Sequence, residues 1–153
     1  MRSVTVVRSF PGTVAEAERC WYDTGRWYRW VDGLDRVLTV DRPWPDPGGS
    51  VSWESNPAGR GQVTERVIAR EALHGQTLEV QDASICGRQS VAFAALEPGV
   101  EVALTLEYEI KRRTRFTPLV DLLFIRHAMA ASLATTVSRF GIELQSAREG
   151  RGS

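Results

Sequence analysis

Between Leu34 and Lys111 apolar and polar residues alternate with period two, and on either side of this stretch the apolar spacing changes to three and four. Alternation sends successive side chains to opposite faces of a strand, whereas spacings of three and four gather them on one side of a helix. The alternating stretch predicts strands over 34–41, 50–55, 62–73, 76–85, 88–96 and 100–111. Turn chemistry separates them at 43–49, 56–61, His74-Gly75, Cys86-Gly87 and 97–99. Two-residue breaks are too short for a parallel crossover, so neighbouring strands are expected to form antiparallel hairpins. In the last strand Val102, Leu104, Leu106, Tyr108 and Ile110 share one face, opposite Glu101, Ala103, Thr105, Glu107 and Glu109. That face is expected to be buried and its opposite wet.

The flanks add one more strand and the helices. Val4, Val6 and Phe10 mark a strand over 3–10 that stops at Pro11-Gly12. Thr13 and Glu16 have the spacing of a capping box, so a helix begins there and runs to about Asp23, ahead of a short aromatic segment at 26–30. Thr117-Pro118 reads as N-cap and first position of a second long helix. Leu122, Ile125, Met129, Leu133, Val137, Phe140 and Leu144 form its apolar stripe to about residue 147. About 30 residues give about 45 Å of helix, close to the roughly 40 Å of the last strand. The expectation is an α+β fold, a curved antiparallel sheet wrapped around a long C-terminal helix, with 1–147 as a single domain and 148–153 as a flexible tail.

This order of elements is that of the helix-grip fold. Phe10-Pro11-Gly12 leading into the capped helix, Trp21, Asp23, and the Trp27 and Trp30 pair resemble the polyketide cyclase/dehydrase-like branch of the START-like (SRPBCC) superfamily, with weaker matches in the 61–67 and 73–78 segments. The resemblance implies a hydrophobic cavity between sheet and helix. Its members bind lipids, sterols, polyketides, quinones or protein clients, so fold does not fix activity. Small residues are expected to leave the space unfilled: Ala92, Ala94 and Ala95 in one strand, and Ala128, Ala130, Ala131 and Ala134 on the helix.

Composition narrows the classes. With 153 residues, about 69% of the unfolded surface is expected to be buried, enough for one sizeable core. Nineteen basic residues balance nineteen acidic ones, which removes the simplest argument for a nucleic-acid partner. All but Lys111 of the basic residues are arginines, a bias that fits a GC-rich bacterial genome. The N-terminus has no apolar leader and no stretch is long enough to span a bilayer, so a cytoplasmic protein is expected. Cys20 and Cys86 lack metal-ligand or disulfide spacing, and no cofactor motif is present.

The candidate pocket wall follows from facing the last strand with the helix stripe. Leu104, Leu106 and Tyr108 are expected opposite Met129 and Leu133, with Phe93 at the side and Trp53 at the mouth between two loops rich in glycine and proline. Glu65 and Arg66 lie on opposite faces of their strand, so one of them supplies an inward charge. Arg126 lies at the edge of the stripe, where its head reaches the cavity or snorkels to water. Neither His74 nor His127 belongs to a catalytic set. The leading expectation is binding of a lipid- or polyketide-like molecule. The alternatives are an enzyme of the polyketide cyclase, aromatase or dehydrase type, with Tyr108, Glu65 or Arg126 as polar groups, and a protein-interaction module. The basic run from Lys111 to Arg115 reads as a solvated connection or an anionic contact near the pocket mouth.

Overall fold

The structure is a computed structural model and describes residues 2–57, 59–111 and 119–151. Strand β1 (Arg2–Phe10) is followed by α1 (Val14–Tyr22), a single 3₁₀ turn (Thr24–Arg26) and the short α2 (Trp27–Trp30). Six strands come next: β2 (Leu34–Asp41), β3 (Ser50–Ser55), β4 (Gln62–Glu71), β5 (Gly75–Gln81), β6 (Ile85–Ala95) and β7 (Val100–Ile110). Helix α3 (Leu119–Arg151) closes the chain. All pairings are antiparallel, in the order β1-β7-β6-β5-β4-β3-β2. This is the helix-grip fold.

The capping box forms as its spacing requires: Glu16 N donates to Thr13 Oγ1 at 3.1 Å and Thr13 N to Glu16 Oε1 at 3.0 Å. On β7 the inward residues Val100, Val102, Leu104, Leu106 and Tyr108 are all buried. Leu133, Val137, Phe140 and Leu144 carry the α3 stripe into the core. Helix and sheet meet in an aromatic corner, where Trp21 lies 4.6 Å from Trp30 and 4.9 Å from Phe140 between ring centroids. Phe93 meets Trp21 edge-on at 6.1 Å. Such pairs contribute about 0.5–1.5 kcal/mol each beyond the area they bury.

Four expectations need correction. Cys86-Gly87 is not a turn. The turn is Asp82-Ala83-Ser84, where Asp82 Oδ1 accepts from the Ser84 and Ile85 amides at 2.7 and 2.9 Å, and Gly87 sits inside β6 opposite Tyr108. Glycine is there because a Cβ would lie 1.9 Å from the Glu107 carbonyl oxygen, so the strands approach too closely for a side chain. Second, Ala92, Ala94 and Ala95 are exposed, as are Ala128 and Ala131; Val91 and Phe93 fill the inward face of β6 instead. Third, α3 continues past residue 147, since Arg148 is held by Glu16 at 3.4 Å and Gln145 at 3.1 Å. Fourth, among the described side chains the stripe is buried only from Leu133 to Leu144. Ile125 and Met129 are half-buried, and Leu123, Phe124, Arg126 and His127 are exposed. The Thr117-Pro118 cap, the Leu122 side chain and Arg112 to Arg115 lie outside the described residues.

Gly141 lets α3 approach β1, because a Cβ there would meet the Phe10 ring at 2.2 Å. Glycine to alanine inside a helix normally gains about 1 kcal/mol. Here Gly141→Ala is expected to lower stability, and Gly87→Ala to cost about 1–3 kcal/mol by forcing two paired strands apart. Urea unfolding checks both. A stabilised Gly141→Ala protein would show that the close approach to Phe10 does not exist.

Candidate functional site

Antiparallel register places two unlike side chains together. Val51 pairs with Glu65 and Trp53 with Val63, so Trp53 and Glu65 are diagonal neighbours on the inward face of β3 and β4. Diagonal neighbours are within reach of long and aromatic side chains. Alternation along β4 buries Val63, Glu65 and Val67 and leaves Arg66 exposed, which settles which charge points inward. Arg60, from the β3–β4 loop, lays its guanidinium 5.6 Å from the centroid of the Trp53 ring and pairs with buried Asp82 at 2.6 Å.

Trp53, Arg60 and Glu65 border a cavity of about 40 Å³. Trp21, Trp27, Trp30, Leu78, Leu104 and Leu133 supply its apolar and aromatic wall. Its far side is polar and comes from the join of α2 to α3. Ser132 Oγ donates to Asp32 Oδ2 at 2.8 Å, and the Asp32 amide donates to Thr136 Oγ1 at 3.0 Å. A water occupies about 10–15 Å³ by this measure, so the space holds about three.

Glu65 is 5% exposed, and burial pushes its carboxyl from the ordinary 4.5 up to about 7. The positive charge of Arg60 and the Trp53 indole N–H pull the other way, and burial outweighs them. Trp53 Nε1 lies close enough to favour the carboxylate, yet it makes no hydrogen bond of sound geometry. Trp30 Nε1 and Arg60 Nη2 are also buried and without a partner among the described residues. A carboxyl that titrates near neutrality inside a cavity holds or releases a proton at physiological pH. No group of three or more His, Cys, Asp or Glu among the described residues is placed to hold a metal ion.

The family model described as polyketide cyclase / dehydrase and lipid transport matches residues 1–143. The chain belongs to that family. Curated proteins give no match, whereas solved structures give many. A protein of unknown function from Staphylococcus aureus is similar with a TM-score of 0.76 at 9% identity, over 97% of this chain and 96% of that one. The di-domain ARO/CYC protein StfQ of the steffimycin biosynthetic pathway gives 0.76 at 12% identity, over 97% of this chain and 51% of its own. DynU16, from the dynemicin biosynthetic locus, gives 0.67 at 14%, over 94% and 47%. At these identities the likeness shows the fold alone. No described helix of this polyketide cyclase/dehydrase and lipid transport family member is long and apolar enough to cross a membrane.

Of the residues expected around the pocket, Trp53, Glu65, Leu104 and Leu133 line this cavity together. Phe93 is buried against Trp21 and Tyr22 instead, and Leu106 and Tyr108 are buried further along β7. Burial raises the Tyr108 hydroxyl's pKa, and the hydroxyl has no partner among the described residues. Met129 is half-buried at the edge of the core, and Arg126 is exposed on α3, with its positive charge near enough to the Tyr108 hydroxyl to oppose the effect of burial there. Sequence reasoning passed over Arg60, Asp32, Ser132 and Thr136. Arg60 follows directly on a glycine in the loop beside Trp53, the one signal that it can fold back over that ring.

Folded, Glu65 keeps its proton to about pH 7; unfolded, only to about 4.5. Across that window the folded state holds a proton that the unfolded chain has lost, so stability falls as pH rises and levels off above 7. The loss is up to about 3 kcal/mol. Glu65→Gln is expected to remove this slope, so its melting temperature gains on the parent's from pH 5 to pH 8. Parallel curves would show that Glu65 does not titrate abnormally.

Proposed function

We propose that this protein binds an apolar small molecule, lipid- or polyketide-like, between the sheet and α3, with the ligand's polar end at Glu65, Trp53 and Arg60. The observation that carries this reading is a buried carboxyl beside unpartnered indole and guanidinium donors in a cavity with an aromatic and aliphatic wall on one side and Asp32, Gln89, Ser132 and Thr136 on the other. Buried polar groups cost free energy when unpaired, and a ligand atom is one way to pair them.

A cavity of about 40 Å³ is small beside the roughly 300–1,000 Å³ of typical ligand sites. The site therefore has to expand. The N-terminal half of α3 is where expansion costs least, because Leu123, Phe124, Arg126 and His127 give the core little cover there. Leu133, Val137, Phe140 and Leu144 hold the other half in place. Met129 stands at the boundary, and its unbranched thioether repacks readily around different shapes.

Glu65 also favours a second reading, an enzyme of the polyketide cyclase or dehydrase type. A general acid or base works best with a pKa near the operating pH, and about 7 meets that condition. In an enzyme Glu65→Gln would keep ligand affinity and lose turnover. In a carrier there is no turnover to lose.

Leu104→Phe tests the binding site. The ring is expected to enter the existing cavity with less than about 1 kcal/mol change in stability and to abolish uptake of an apolar fluorescent probe. Overpacking a closed core costs about 1–3 kcal/mol. A destabilised variant, together with a parent protein that takes up no probe, would contradict the ligand-binding reading.

A further inference from the structure

Helices α1 and α3 meet along faces that are charged where a core would be apolar. Glu16, Arg19 and Cys20 of α1 and Asp23 at its C-cap are spaced by three and four, as are Leu144, Ala147, Arg148 and Arg151 of α3. Such spacing gathers each set on one side of its helix. With Arg26 from the 3₁₀ turn, the two sets line a cavity of about 80 Å³, which shares no residue with the one beside Glu65. Its α3 residues span about two turns, so the cavity lies along the flank of the helix and not beyond its last carbonyls.

Two of its four arginines are held in place by acids. Arg26 reaches Asp23 at 3.2 Å and the buried Glu143 at 2.7 Å, and Glu143 also has Arg29 at 3.9 Å. Arg148 lies 3.4 Å from Glu16 and donates to Gln145 Oε1 at 3.1 Å, while its Nε is buried without an acceptor of sound geometry among the described residues. Arg19 and Arg151 are exposed at the rim and make no ion pair or hydrogen bond among the described residues. Five arginines thus stand against three carboxylates, which leaves two positive charges unanswered. Guanidinium nitrogens donate and do not accept, so the cavity calls for an anion rich in acceptors.

We propose that the cleft between α1 and the end of α3 binds a phosphate dianion, free or as a monoester. Arg19 and Arg151 supply the charge, and Arg26 and Arg148 are fixed in position by their acids. Guanidinium groups from two helices and a turn approach the space from several sides, and a tetrahedral oxyanion accepts from several sides, whereas a carboxylate offers its oxygens in one plane. Two unanswered charges match a phosphate, which carries about −1.5 to −2 at pH 7. A water takes about 10–15 Å³ by this measure, so about 80 Å³ has room for the few heavy atoms of a phosphate. Cys20, Leu144 and Ala147 give the cleft an apolar floor, which keeps water from one side and strengthens the attraction.

Three anions separate the possibilities: inorganic phosphate, phenyl phosphate and benzoate, each titrated at matched ionic strength and followed by the amide resonances of Cys20 and Ala147. Both phosphates are expected to bind about tenfold tighter than benzoate. Phenyl phosphate binding tighter than inorganic phosphate would assign the site to a monoester whose carbon rests on the apolar floor; equal or weaker binding would assign it to the free ion. Arg19→Gln is expected to weaken phosphate binding about fivefold. Its melting temperature without phosphate should equal the parent's, because the Arg19 side chain has no partner to lose among the described residues. Arg151→Gln repeats the measurement from the α3 side. Benzoate binding as tightly as phosphate, phosphate affinity unchanged in both variants, or no shift of the Cys20 and Ala147 resonances in any titration would overturn the proposal.

Discussion

The aromatic corner of Trp21, Trp30 and Phe140 is the constraint on which the other features depend. Among the described side chains of α3 the buried apolar ones run from Leu133 to Leu144, so its hold on the sheet is concentrated where these rings interlock at 4.6–5.1 Å. Trp21 comes from the capped α1, Trp30 from α2 and Phe140 from α3, and Phe93 of β6 joins them from the sheet. Four elements thus meet in one cluster. The cavity lies against it, since Trp21 and Trp30 form part of its wall. Rigidity on this side and thin cover over the N-terminal half of α3 are two consequences of the same uneven distribution of apolar surface.

Against that apolar wall, one inward position of β4 carries a carboxyl. Glu65 occupies a place in the alternation that Val63 and Val67 fill on either side, so the strand period turns it into the core whatever its polarity. Its neighbours moderate the cost without removing it. Arg60 is committed to Asp82, and the Trp53 indole lacks the geometry to bond. The carboxyl therefore keeps its proton to an unusually high pH. The family joins cyclase and dehydrase chemistry to lipid transport, and under the function proposed above the Glu65 carboxyl would either orient the ligand's polar end or exchange a proton with it.

Much of this was legible from residue order, and the failures share a physical cause. Strands β2 and β3 fall where alternation put them, and the α3 stripe from Leu133 to Leu144 is buried as its spacing required. Cys86-Gly87 misled because glycine marks both turns and close strand approach, and local sequence does not separate the two. The matching lengths of α3 and β7 suggested full coverage, but α3 packs chiefly along β1, α1 and α2 and leaves β7 largely to its neighbours. At the site, Trp53 and Glu65 were readable because each lies in a strand whose period fixes its face. Arg60, Asp32, Ser132 and Thr136 were not, because loop and helix-edge residues take their direction from tertiary contacts that no local pattern encodes.

Burial raises the pKa of the Glu65 carboxyl to about 7, and the proton on that carboxyl can be followed directly. In protein labelled with ¹³C at the glutamate side-chain carboxyl carbon, the resonance assigned by its absence in Glu65→Gln is expected to titrate with a midpoint near 7. A midpoint near the ordinary 4.5 would mean that Glu65 is solvated or paired, and would contradict a carboxyl whose pKa burial raises.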